Sequence, residues 1–143
     1  MASLAEIRAD FDLLEDWEDR YRYLIELGRA LPTFPEEQRT DANKVRGCAS
    51  QVWLATAIDQ NEGKQAFTFV ADSDAHIVRG LIAILHAIYD NQPIEEVLLI
   101  EPDPVFAELG LKEHLTPQRS NGLASMVARL RNDAAAIRAA SDC

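Results

Sequence analysis

One cysteine, Cys48, stands in the stretch TDANKVRGCASQVWL (Thr40–Leu54), where the neighbouring residue types suit a thiol that reacts. The thiolate is the nucleophilic form of cysteine, and nearby positive charge favours it. If the backbone is extended here, Arg46 lies on the same side as Cys48 and Lys44 repeats that side. From Arg39 to Cys48, three basic residues (Arg39, Lys44, Arg46) stand against one acidic residue (Asp41), a local +2 in a chain of net charge −10. Gly47, Ala49 and Ser50 are small and leave the sulfur approachable by another protein's reactive atom. A reactive thiol and a packed, inert one both remain open on these grounds.

The missing partners narrow the chemistry. A thiol protease or acyltransferase needs a base, usually with an orienting carboxamide or carboxylate. His86 falls inside the apolar run GLIAILHAIY and His76 in the first turn of the same helix, so both read as structural; His114 is the remaining candidate base. No glycine-rich phosphate loop is evident, nor a lysine in a pyridoxal-type context. Cys48 and Cys143 form no CxxC pair and the histidines lack zinc-ligand spacing, so no metal site is expected, and both cysteines are expected as free thiols. A thiol without a base suits a soft, activated electrophile. Sulfur transfer between thiols is of that kind, needing a thiolate and access more than a proton relay.

The elements that must position this thiol are those of one soluble domain. A chain of 143 residues can bury a substantial core without disulfides or metal. Its composition, 48% hydrophobic and 27% charged, is globular rather than disordered. The charge of −10 argues against nucleic acid or an anionic membrane as a partner, since both favour a basic face. No apolar run is long enough to span a bilayer, and the acidic amphipathic start is unlike a signal peptide. A cytoplasmic protein is expected.

Ser3 and Glu6 form a capping-box signature, after which Leu4, Ile7, Phe11 and Leu14 share a helical face. A second helix is predicted over 17–30, with Tyr21, Leu24, Ile25 and Gly28 on one side, and LPTFPEEQRT ends it. Alternation in QVWLATAID and QAFTFVAD, linked by QNEGK, predicts an antiparallel hairpin. Lys44–Arg46 is a candidate for a further short strand. From Asp72 the period becomes helical, with DSDA as caps and Ile77, Val78, Leu81, Ile82, Leu85 and Ile88 as the stripe; Gly80 within it implies close packing. Two short helices are predicted to open on Pro93 and Pro104, the second capped by Asp103 and stopped by Gly110. The last helix is predicted to be capped by Thr116, with Pro117 first and Leu123, Met126, Val127, Leu130 and Ile137 on its apolar face. The result is an α+β fold: a small antiparallel sheet of about three strands, packed by helices on its faces.

Three segments, FPEEQRTDANKVRGCASQVWL, DSDAHIVRGLIAIL and HLTPQRSNGLASMVARLR, occur in an order and spacing that resembles the SufE family of sulfur acceptors, including its CsdE branch. The resemblance covers about 31–131. It implies one domain over 1–143 with a fold like that of the iron–sulfur scaffold family, no resident cofactor, and a cysteine that becomes a transient persulfide. Cys48 matches the acceptor cysteine of the family's G-C-x-S-x-V-W motif, with Gly47, Ser50, Val52 and Trp53 also matching; Ala49 stands where many relatives carry glutamine. Arg119 matches the arginine of the R-S-x-G-L segment, and Asp72, Ser73 and Asp74 match a helix-opening segment near the active loop. On this reading the partners are a pyridoxal-dependent cysteine desulfurase of the SufS or CsdA kind and a downstream iron–sulfur scaffold complex. Cys48 is the nucleophile, while Lys44, Arg46 and Arg119 stabilise anionic sulfur. Alternatives are a cluster scaffold, a stand-alone thiol enzyme and an inert interaction domain.

Overall fold

Ser3 begins the first element as expected: its Oγ accepts the Glu6 N–H at 3.2 Å, and α1 (Leu4–Leu13) buries Ile7 and Phe11. The computed structural model describes residues 2–61 and 64–141. Cys143 and Gly63, the glycine of the expected hairpin turn, lie outside them. Asp16 caps α2 (Trp17–Arg29), accepting from Glu18 N–H at 3.2 Å; this helix buries Leu24, Leu27 and Gly28, while Ile25 is only half-buried.

β1 (Val52–Asn61) and β2 (Lys64–Ser73) pair antiparallel in a register running from Val52 with Ser73 to Asn61 with Lys64. The period-2 pattern buries Val52, Leu54, Phe67, Phe69 and Ala71 on one face. The opposite face carries Trp53, Ala55, Ala57, Thr68 and Val70, all exposed or half-buried. Burial is therefore one-sided, because those outward positions are mostly small or hydroxylic and lose little by meeting water.

The third strand is β3 (Gln92–Pro93), pairing through Ala66 with Pro93 and Phe67 with Gln92, so the order is β1-β2-β3. The candidate strand at Lys44–Arg46 is instead a single bridge between Lys44 and Trp53. Pro93 accordingly ends a strand and precedes α4 (Ile94–Leu99) rather than opening it. In α5 (Asp103–Glu108), Asp103 is the first helical residue and caps nothing; Pro102 precedes it. Gly110, at φ +74°, stops α5 as expected and leads into α6 (Leu111–His114).

Between β2 and β3 in the chain lies α3 (His76–Tyr89), nine of whose residues are buried. The expected caps are not used. β2 runs through Ser73, and Ala75 precedes α3 with no side-chain cap bond, because the Asp72 carboxylate is drawn away by arginines. The close packing expected at Gly80 is present, but against α2 rather than the sheet: a methyl there would run into the Leu24 carbonyl, and one at Gly28 would lie 2.8 Å from Arg79 Cβ. α7 (Pro117–Ser141) starts as expected, Thr116 Oγ1 accepting the Arg119 N–H at 3.3 Å, and buries Met126, Leu130 and Ala134. No helix among the described residues is long and apolar enough to cross a membrane.

Candidate functional site

Cys48 sits at the tip of a loop whose neck is tied by main-chain bonds. Leu54 N–H donates to Asn43 O at 2.8 Å and Val45 N–H to Val52 O at 2.8 Å. The chain then turns at Arg46–Gly47 and bends at Ala49–Ser50. Gly47 has φ +88°, and a methyl at this position would fall 2.5 Å from Ser125 Oγ. The positive φ demands glycine, a methyl would also force the Ser125 hydroxyl to turn away, and the loop tip lies directly on α7. This turn removes the extended backbone on which Arg46 and Lys44 would share a side with the sulfur.

The exit of the loop is held by Asp74: its Oδ1 accepts the Gln51 N–H at 3.1 Å, and its own N–H donates to Gln51 O at 3.3 Å. Asp74 therefore braces the loop rather than capping a helix. Asp72, two residues earlier at the end of β2, serves a separate cluster. Arg39 Nη2 binds Asp72 Oδ2 at 2.6 Å and Nε binds Glu36 at 3.0 Å, while its guanidinium stacks over Trp53 at 5.0 Å. Arg79 Nε lies 3.0 Å from Asp72 Oδ1 as an ion pair, without the alignment of a hydrogen bond. Arg39 is thus neutralised by carboxylates, and the local +2 shrinks to Lys44 and Arg46 against Asp41.

The Cys48 side chain is half-buried, and its S–H donates to Gly122 O at 3.6 Å. A methyl at Gly122 would stand 3.6 Å from the sulfur, so glycine at this point of α7 leaves room beside the thiol. The sulfur opens into a cavity of about 220 Å³. Val52, Val78, Leu81, Leu123 and Met126 supply apolar wall; Ser50, Thr116, Gln118 and Arg119 supply polar wall. Burial pushes the thiol up from its ordinary range. Of the three cations expected near the sulfur, Arg119 lines this cavity, whereas Lys44 and Arg46 do not.

No histidine among the described residues lines the cavity. The ring of His114 stacks on Trp17 at 3.7 Å, and His86 packs against Phe69 and Asp90. Nor do any three His, Cys, Asp or Glu side chains among the described residues converge closely enough to hold a metal ion. The arrangement can hold a thiol and a small group attached to it, partly shielded from water, with an arginine and the first turn of a long helix beside it.

Several contributors were not singled out in the sequence: Gly122, Ser125, Arg129 and the brace by Asp74. Gly122 had a signal, a glycine inside a helical period, but nothing local showed that it faces Cys48.

Comparison with known proteins bears on the family and the fold. Residues 5–134 match the family model "SufE: Fe-S metabolism associated domain". The chain is 54% identical over 141 residues to an uncharacterized SufE-like protein of Rhizobium etli, covering 99% of this chain and 95% of the relative. It is 51% identical over 134 residues to one from Rhizobium meliloti, covering 94% and 96%. The solution structure of a hypothetical protein from Thermus thermophilus shares the fold, with a TM-score of 0.69 over 92% of each chain at 23% identity.

Proposed function

We propose, from the premise that this chain belongs to the SufE family of Fe–S metabolism associated domains, that it is a cytoplasmic sulfur carrier whose acceptor is Cys48. The observation carrying this reading is the placement of the sulfur: a thiol on a loop tip, facing a small cavity with no base among the described residues but with an arginine and a helix start. The Cys48 thiolate attacks the terminal sulfur of a persulfide held by a pyridoxal-dependent cysteine desulfurase. A new S–S bond forms to Cys48, the donor's S–S bond breaks, and the donor cysteine leaves as its thiolate. Two thiol sulfurs exchange one sulfane sulfur, so no external oxidant or reductant enters. Removing the product frees the desulfurase for another turnover, and Cys48 passes the sulfur to an iron–sulfur scaffold.

The two wall chemistries have separate tasks. The apolar residues keep water and small reductants from the persulfide between encounters. Arg119 and the positive end of α7 favour its anionic form, the helix start contributing about 0.3–1 kcal/mol in such a position. Lys44 and Arg46, off the cavity wall, act when the loop meets its partner, where they counter the negative charge of the sulfur in transit. Ser50 and Gly47 shape the tip, and Asp74 sets how readily it leaves.

Intact-mass measurement tests this. After incubation with a cysteine desulfurase and free cysteine, the protein gains one reducible sulfur atom, and Cys48→Ser gains none. Absence of the adduct together with unchanged desulfurase turnover would sink the carrier reading. A scaffold has less support, because Cys48 has no converging ligand side chains among the described residues; an iron charge-transfer band after loading would favour it instead.

A further inference from the structure

Along α7, Gly122, Ser125, Arg129 and Asp133 recur every three or four residues and so form one stripe. The first two touch the tip of the Cys48 loop, as described above. The last two hold its root. Arg129 Nη2–H donates to the Ala42 carbonyl at 2.8 Å, immediately before the neck of the loop. Its Nε–H is shared between Asp133 Oδ1 and Oδ2, at 3.1 and 3.2 Å. Asp133 Oδ2 also accepts from Thr56 Oγ1 at 3.0 Å, on the strand that the loop feeds. Arg129 and Asp133 have side chains only about a quarter exposed, 25% and 24%. One guanidinium thus spans the chain entering the loop and, through Asp133, the strand leaving it.

We propose that Arg129 is a positioning residue for Cys48: by tying Ala42 and Thr56 to α7, it fixes the loop root so that the thiol returns over Gly122 after each excursion. Among the described residues, the loop tip meets α7 through an S–H donor at 3.6 Å and the contact of Gly47 with Ser125, both weak ties. The strong, charge-assisted bonds are at the root. Motion of the tip is therefore local, and the register between Cys48 and the cavity is set by an arginine that never touches the sulfur. This inference rests on Cys48 being the reacting group, and on no particular sulfur donor.

The test is the rate at which iodoacetamide alkylates Cys48 in the isolated, full-length protein, followed by intact mass with Cys48→Ser as the blank. Losing Arg129 removes a charge-assisted bond to a carbonyl, so Arg129→Met should raise the rate about ten-fold. Arg129→Lys keeps the charge but not the fork, and should also raise it; Thr56→Val, which removes only the Asp133 link, should do so by less. Arg131→Met is the control. Arg131 is on the same helix but donates to Leu98 O at 3.0 Å and pairs with Glu101, away from the loop, so its loss should leave the rate unchanged. If Arg129→Met does not fold, the lysine and Thr56 variants carry the test. Wild-type rates in the Arg129 variants, or an equal rise in Arg131→Met, would overturn the proposal. Because alkylation needs no desulfurase, that failure is distinct from a failure to take up sulfur.

Discussion

Burial and positive charge act in opposite directions on the Cys48 thiol, and in the resting structure burial is the force that shifts it, upward. A carrier gains from this, since a neutral thiol under cover resists stray electrophiles until a partner arrives. Raising the thiol's pKa means less thiolate at neutral pH. In the folded protein the pH profile of Cys48 alkylation should therefore have its midpoint above the ordinary value of about 8.5, and it should fall back toward that value in denaturant. A folded-state midpoint well below it would mean that Arg119 and the start of α7 outweigh burial. At this scale glycine matters as much as sulfur: Gly47 permits the turn and Gly122 leaves the space.

Two close approaches decide how the elements meet. α2 crosses α3 at Gly28 and Gly80, where a methyl at Gly80 would strike the Leu24 carbonyl. Alanine is the better helix former by about 1 kcal/mol. Backbone cannot yield as a flexible side chain can, so the packing loss of about 1–3 kcal/mol wins. Gly80→Ala is expected to destabilise the domain by a net of up to about 2 kcal/mol, the difference between these terms, read as a lower urea midpoint of unfolding. A rise in the midpoint would show that the helices have room. α3 supplies Val78 and Leu81 to the cavity wall, so the same variant should also alter Cys48 reactivity.

For the molecule as a whole, the key contrast is between a broad packed core and the tip of the Cys48 loop. The core joins residues of all the larger helices and both long strands, whereas the tip of the Cys48 loop adds little to it. Opening the loop exposes little surface; unfolding the domain exposes most of it, with a urea slope of about 1–3 kcal/mol per molar. Cys48 alkylation should accordingly be flat across urea concentrations below the unfolding transition. A rate that instead climbs with the full unfolding slope would mean that the thiol escapes only when the domain unfolds, which a carrier cannot use. The net charge of −10 belongs to this scale too: it favours partners with a basic surface and disfavours nucleic acid.

Local features were legible in the chain itself. The Ser3 and Thr116 caps, the hairpin, the α3 stripe and the isolation of Cys48 each depend on neighbours within a turn or on a regular period, so residue order alone determines them. What remained hidden depends on residues distant in sequence. Asp72 and Asp74 read as caps until folding placed Arg39, Arg79 and Gln51 beside them. Lys44 and Arg46 read as neighbours of the sulfur until Gly47 turned the chain away. The cavity joins the Cys48 loop to α3 and α7, and Arg129 reaches Ala42 across 87 residues. The sequence alone determined that Cys48 stands outside any CxxC or zinc-ligand spacing; only the tertiary structure decided what surrounds it and set His114 aside on Trp17, because electrostatics and shielding depend on distance in space, to which order along the chain is a poor guide.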